Sequence, residues 1–187
     1  MNAEKEHLFE PLAFEEASEH SRLLLEKVRT SMGFIPNLVA KMANNHVLLH
    51  GYLAADGAFS RGTFTGAERQ LILLAASVEN KCQYSVAAHA TAAKHLGAQS
   101  SVVAAVKRGL RTGDKKLDAL VCITQEMVRE RGKVRRQTVD DFIGAGYAKE
   151  QILEILLGVA TKTISSYLDH ISPTELDKQF GGVHSQF

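Results

Sequence analysis

The chain has 187 residues, of which 45% are hydrophobic and 23% charged, and its formal net charge is +1. This is the composition of one globular domain over residues 1–187, and the near-neutral charge argues against a nucleic-acid partner. No apolar run reaches the roughly 18 residues of a membrane span, and the absence of a signal-peptide core together with only two cysteines predicts a cytoplasmic protein without a membrane partner.

Apolar side chains recur at helical spacing along most of the chain. Apolar and polar residues do not alternate strictly over five or more positions, so no strand is expected. We predict an all-α fold of eight or nine helices after an N-terminal arm at about residues 1–13. In chain order the helices are expected at about residues 14–33, 37–44 and 46–60, from residue 65 into a further helix that runs to 95, and at 100–109, 114–132, 138–144 and 149–170.

Local signals indicate where several helices begin and end. Thr65 and Glu68 have the spacing of a capping box, in which the threonine oxygen accepts a backbone N–H and the glutamate reaches back. Gly97 is expected to end its helix in a left-handed conformation. Cys122 lies in an apolar stripe, and we interpret it as a core cysteine rather than a distant resolving thiol.

Two other patterns receive structural interpretations. His46 and His50 are four residues apart, which suits a metal, but no third ligand is evident and ordinary histidines are favoured. The basic run at 129–136 contains a glutamate and no aromatic residues, so a solvated turn is favoured over a nucleic-acid patch. We therefore predict no metal and no other cofactor.

The most informative segment is 79–89, Glu-Asn-Lys-Cys-Gln-Tyr-Ser-Val-Ala-Ala-His. On a helix Cys82, Ser85 and His89 would fall within about 60° of one another. A thiol in the first turn of a helix has a lowered pKa, and a histidine can carry its proton. The alternative is a small buried cysteine beside a core histidine.

This segment resembles the signature of the carboxymuconolactone decarboxylase and alkylhydroperoxidase D (AhpD)-like superfamily. It is most similar to the peroxidase-related branch, whose pattern is Glu-Asn-x-Cys-x-Tyr-Cys-x-x-x-His. Residues 33–37, Gly-Phe-Ile-Pro-Asn, and the region 146–171 also resemble that branch, so the likeness covers about residues 33–180. The resemblance implies a single AhpD-like helical domain that assembles as a homo-oligomer, a trimer or a hexamer.

The resemblance assigns roles to several positions. Cys82 corresponds to the first motif cysteine, Tyr84 to the tyrosine and His89 to the histidine. Two positions depart from the pattern, because Ser85 replaces the second cysteine and Gln70 replaces the glutamate that AhpD uses in a proton relay.

Other residues are candidates for the same site. Glu79 is the carboxylate expected to orient it, and Glu68 is a second carboxylate that could replace the relay glutamate. His170 matches a histidine of the branch and either lines the site or caps its helix.

Three functions follow. In the first, Cys82 reduces a small hydroperoxide with His89 as acid/base, and an external thiol or dithiol regenerates the sulfur because Ser85 cannot form a local disulfide. The second is a decarboxylase or other lyase with His89 as proton carrier, which a cation aimed into the pocket would favour. The third is a non-catalytic oligomeric stress-response protein. Three explanations remain open for Ser85. It is an engineered replacement of cysteine, or a natural residue of a family member that works with one thiol, or a natural residue of a homologue that has lost this chemistry.

Overall fold

The computed structural model describes residues 8–181. Within that range it contains helices and no strand, which confirms the predicted all-α fold. No helix in the described part is long and apolar enough to cross a membrane. The helices are α1 (Glu19–Met32), α2 (Asn37–Met42), α3 (His46–Ser60), α4 (Gly66–Glu79), α5 (Gln83–His95), α6 (Ser100–Lys107), α7 (Lys115–Arg129), α8 (Arg136–Gly144) and α9 (Gln151–Ile171), followed by a 3₁₀ turn at Lys178–Phe180.

The predicted capping residues determine several helix ends. The Thr65 hydroxyl accepts from the Glu68 N–H, and the Glu68 carboxylate accepts from the Thr65 N–H, which completes the capping box of α4. Gly33 and Gly97 adopt φ angles of +82° and +92°, where a side chain would be strained.

The first helix begins later than predicted. Phe14 lies in a turn, and α1 starts at Glu19 because the Ser18 hydroxyl accepts a backbone N–H and caps it. Residues 1–7 of the predicted arm lie outside the described residues, and residues 8–13 form neither helix nor strand.

A short link separates α4 from α5. Lys81 has a left-handed φ of +56°, and Cys82 follows in an extended conformation as the N-cap of α5. The helical spacing predicts Cys82 on the same helix face as Ser85 and His89, but only the latter two are helical. The backbone reversal at Lys81 therefore leaves Cys82 just ahead of α5 rather than in its first turn.

Helix α4 lies at the centre of the packing. Its residues 71–77 are all buried, and it contacts α5, α6, α7 and α9. Helix α9 also passes close to α3 at Gly158, where an added Cβ would lie 3.0 Å from the Phe59 ring. Because residues four apart share a helix face, this approach brings Lys162 into the interior of the bundle.

The predicted core position of Cys122 is wrong, because this residue is exposed. On α7 the core side is formed by Leu120, Ile123 and Met127, which are buried. Residue 122 lies on the opposite side of the helix from these three, at roughly 100° per residue. Cys122 is therefore remote from the interior and from any role beside Cys82.

Candidate active site

A cavity of about 330 Å³ lies between α3, α4, α5 and α9, with α1 and α2 along one side. Most of its wall is apolar, and several ionisable or hydrogen-bonding side chains converge on it, which is typical of a small-molecule site. The polar lining consists of Ser31, Tyr52, Asp56, Ser60, Arg69, Gln70, Tyr84, Ser85, His89 and Lys162. Among the residues singled out from the sequence, those found in this wall are Gln70, Tyr84, Ser85 and His89.

His89 is held by the residue at the relay position. Its Nδ1 lies 2.9 Å from the Gln70 Oε1. With that oxygen as acceptor, Nδ1 carries the proton and Nε2 has the lone pair. Burial lowers the pKa of His89 well below its ordinary value, and the charge of Lys162 lowers it further. The imidazole is therefore neutral at pH 7.

Lys162 is the principal residue that the sequence reasoning missed. Its side chain is 2% exposed, and its Nζ donates to the Ser85 Oγ at 3.0 Å. Burial lowers its pKa to about 8, although the nearby acidic groups of Cys82, Asp56 and Asp169 act in the opposite direction. The signal in the sequence was a lysine on the apolar face of α9, four residues after Gly158 and seven after Ile155.

Two further charged groups complete the cavity wall. Burial raises the pKa of Asp56, while the nearby Lys162 ammonium lowers it. The Arg69 guanidinium donates to the Phe64 carbonyl, and within residues 8–181 its other donors are available to a ligand. With Asp56 tending towards its neutral form, Arg69 and Lys162 make this cavity suitable for a small anion.

Cys82 lies behind the wall of the cavity rather than in it. Its side chain is 0% exposed, and its Sγ donates to the Asp169 Oδ2 at 3.3 Å. Burial raises the pKa of Cys82, more than hydrogen bonds with Ser85 and the charge of Lys162 lower it. From the sequence, a position at the helix N-terminus predicts a lowered pKa for this thiol. Desolvation dominates here because the sulfur is enclosed.

The two candidate carboxylates are engaged elsewhere. Glu79 pairs with Arg129 at 3.3 Å, and Glu68 is used by the capping box and by the Tyr147 hydroxyl at 2.9 Å. Neither lines the cavity. The relay position is therefore occupied by Gln70 itself, without a substituting carboxylate in contact with His89 among the described residues.

Tyr84 and His170 have different positions. The Tyr84 hydroxyl donates to the Asp177 carboxylate and accepts from the Leu38 N–H at 3.4 Å, so it ties α5 to the segment after α9. His170 is exposed in the last turn of α9 and does not line the cavity. Of the two predicted placements for His170, the helix-end position is the one observed.

The spaced histidines of α3 do not form part of a larger ligand set. The rings of His46 and His20 lie tilted against each other, with centroids 5.5 Å apart. Over residues 8–181, no three His, Cys, Asp or Glu side chains are grouped in a way that could hold a metal ion.

Comparisons with known proteins agree with the motif. Residues 49–112 match the model of the carboxymuconolactone decarboxylase family, which confirms the resemblance seen in the sequence. This matched segment includes most of α3 together with α4, α5 and α6, and so three of the four helices that form the cavity. No curated protein sequence matches the chain.

Solved structures extend the likeness to the whole fold. An AhpD-core, peroxidase-related protein from Ralstonia eutropha JMP134 has a TM-score of 0.82 at 18% identity, covering 93% of this chain and 95% of its own. A peroxidase-related protein from Silicibacter sp. TM1040 has a TM-score of 0.78 at 16% identity, covering 94% and 95%. The debrominase Bmp8 has a TM-score of 0.77 at 14% identity, covering 92% and 94%. At these identities the comparison establishes the shared fold alone.

Proposed function

Residues 49–112 belong to the carboxymuconolactone decarboxylase family within an AhpD-like fold, and from this premise we propose that the cavity is the site of a decarboxylase-type lyase. Its substrate would be a small carboxylate that also has a carbonyl group. The reaction would be loss of CO₂ followed by proton transfer, without a redox step at sulfur.

The observation that favours this function is the arrangement of Lys162 and Cys82. A buried ammonium lines the cavity beside the neutral His89, whereas the sulfur is enclosed behind Ser85. A cation in a site with little water stabilises negative charge that develops on a substrate. A peroxidase would need the opposite arrangement, with an accessible thiolate of low pKa.

The proposed reaction uses three of the polar groups in the cavity wall. Arg69 holds the substrate carboxylate at the outset. The bond between this carboxylate and the neighbouring carbon breaks, CO₂ leaves, and the electron pair forms an enolate whose charge Lys162 stabilises. His89 then transfers a proton from water to the carbon, which completes the balance without an oxidant or reductant.

The test measures CO₂ release, and deuterium incorporation by NMR in D₂O, with acetoacetate, oxaloacetate and small carboxylated lactones. We expect Lys162→Met and His89→Gln each to lower kcat/KM by about 10² or more. Cys82→Ala, which alters a residue outside the cavity wall, should keep most of the activity. Loss of activity in Cys82→Ala together with full activity in Lys162→Met would contradict the proposal.

A second candidate function is Cys82-dependent reduction of a small hydroperoxide with an external thiol or dithiol. It is favoured by one contact, the hydrogen bond of Cys82 with Ser85, since Ser85 lines the cavity. Hydroperoxide consumption with excess dithiothreitol tests it. Turnover that disappears in Cys82→Ala would support this candidate, and the absence of both activities would favour the non-catalytic stress-response alternative.

We also propose that the protein is a cytoplasmic homo-oligomer, a trimer or a hexamer. Large apolar side chains are exposed along one stripe of α9, which is typical of an interaction surface. The exposed residues of this stripe are Leu153, Leu156, Tyr167 and Ile171. Light scattering on the purified chain and on Leu156→Glu tests the assembly, and a monomeric parent protein would contradict it.

A further inference from the structure

The amine of Lys162 is placed differently from a lysine that only neutralises charge. Within residues 8–181 its Nζ makes one hydrogen bond, to the Ser85 hydroxyl at 3.0 Å, and it lies in the wall of the cavity. A hydroxyl can donate as well as accept, so Ser85 can hold either the ammonium or the neutral amine. Lys162 can therefore lose its proton without leaving a buried partner unsatisfied.

We propose that Lys162 is a covalent catalytic residue, whose amine forms an imine with the carbonyl group of a small oxo acid. The inference rests on the proposed decarboxylase function and specifies how the substrate's electrons are accepted. It identifies the substrate class as a carboxylic acid with a ketone or aldehyde one carbon removed from the carboxylate.

An imine can form at Lys162 from the amine and the substrate carbonyl alone, with water as the leaving group. The neutral amine attacks the carbonyl carbon, a C–N bond forms, and a proton passes from nitrogen to oxygen through the Ser85 hydroxyl. The carbinolamine oxygen is then protonated and leaves as water, which gives a protonated imine.

Loss of CO₂ from that imine is also balanced. The C–C bond to the carboxylate breaks, its electron pair neutralises the imine nitrogen as an enamine, and CO₂ leaves. Protonation of the enamine carbon and addition of water release the product and restore Lys162. His89, in the same cavity, is placed to move the carbon proton.

The surroundings suit this chemistry in two further respects. Burial lowers the pKa of Lys162 to about 8, so a useful fraction of the amine is neutral near pH 7. A volume of about 330 Å³ is enough for a small oxo acid, and Arg69 in the same wall can pair with its carboxylate.

The experiment traps the imine in the intact protein. The chain is incubated with acetoacetate or oxaloacetate and sodium cyanoborohydride, which delivers hydride to an imine, and the adduct is located by peptide mass spectrometry. We expect labelling at Lys162 at least about tenfold faster than at surface lysines. Lys41, which is also buried, is an internal control that should stay unlabelled. Circular dichroism verifies that Lys162→Met is folded, and this variant should lose the rapid label.

The outcomes separate this inference from the proposed function. Decarboxylation that depends on Lys162 without any Lys162 adduct at pH 7 to 9 would overturn covalent capture and leave the lyase function intact. A Lys162 adduct without CO₂ release would support capture and overturn the decarboxylase reaction. Labelling spread evenly over surface lysines, with none enriched at Lys162, would also overturn the inference.

Discussion

Lys41 and Lys162 are both 2% exposed, yet their ammonium groups have very different partners. The Lys41 Nζ donates to three oxygens, the Ser172 carbonyl at 2.9 Å, the Ser172 Oγ at 3.3 Å and the Pro173 carbonyl at 2.7 Å. Lys162 has the Ser85 hydroxyl and a cavity. Although the two lysines are equally buried, Lys41 holds two segments of the fold together, whereas Lys162 is placed to contact a ligand in the cavity.

The difference follows from what each lysine joins. Lys41, in α2, ties that helix to the chain directly after α9, where the last carbonyls of a helix need donors. Carbonyl groups cannot donate, so deprotonation of Lys41 would cost hydrogen bonds. Lys162 meets a hydroxyl that serves either protonation state. The number of hydrogen-bond acceptors therefore distinguishes these two buried amines better than burial does.

The largest expected effect is on stability in Lys41→Met. The substitution leaves the oxygens of Ser172 and Pro173 without this donor, and we expect the free energy of unfolding to fall by about 3 kcal/mol. Urea denaturation at pH 7 measures it. A free energy of unfolding within about 0.5 kcal/mol of the parent protein's value would contradict a stabilising role for the hydrogen bonds of Lys41.

Lys162→Met should raise the free energy of unfolding at pH 7, in contrast to Lys41→Met. The native pKa of about 8 lies below the unfolded value of 10.5, so between these pH values the unfolded chain binds more protons and stability rises with pH. Below pH 8 the buried charge costs up to about 3 kcal/mol, which methionine avoids.

The pH dependence provides the control for this substitution. The variant should be more stable than the parent protein at pH 7 in urea titrations, and the gain should shrink as the pH approaches 10. A gain that is independent of pH would mean that packing, rather than the charge of Lys162, is responsible.

Gln70→Glu should have an effect of intermediate size, on the protonation of His89. A carboxylate at the position of the Gln70 Oε1, 2.9 Å from the His89 Nδ1, would favour the imidazolium form. We expect the pKa of His89 to rise, which two-dimensional NMR of the ring protons can follow. An unchanged titration would show that burial and Lys162 alone determine the state of His89.

The comparison also shows how far the sequence could predict this molecule. Helix periodicity and the Thr65 capping box predicted most of the fold, because they depend on local spacing. The positions of Ser85, His89 and Gln70 in one cavity were predicted through the family pattern. A buried Cys82 was one of two alternatives that the sequence left open, and it could not decide between them because the enclosure depends on the left-handed Lys81 and on Asp169, 87 residues away along the chain.

Lys162 could not be found for a related reason. Its apolar neighbours on α9 identify a buried face, but the partner of its ammonium comes from α5, 77 residues away along the chain. Sequence alone gives Lys41 and Lys162 the same description, as lysines within helices. Only the packing of α9 against α3 and α4, with Gly158 at the close approach, separates them.

The smallest expected effect is that of Ser85→Ala on the pKa of Lys162. It tests directly whether the hydrogen bond with Ser85 determines the protonation of this lysine. The Ser85 oxygen accepts from the ammonium and so favours the charged form, and its removal should lower the pKa of Lys162 by about half a unit. The pH midpoint of cyanoborohydride labelling reports this shift. Labelling should also slow, because the carbinolamine loses its proton carrier, whereas Ser85→Thr keeps a hydroxyl and should restore the rate. A midpoint that rises would mean that Ser85 stabilises the neutral amine of Lys162. The difference between Lys162 and Lys41 would then be due to the cavity beside Lys162 rather than to the hydrogen bonds of the two lysines.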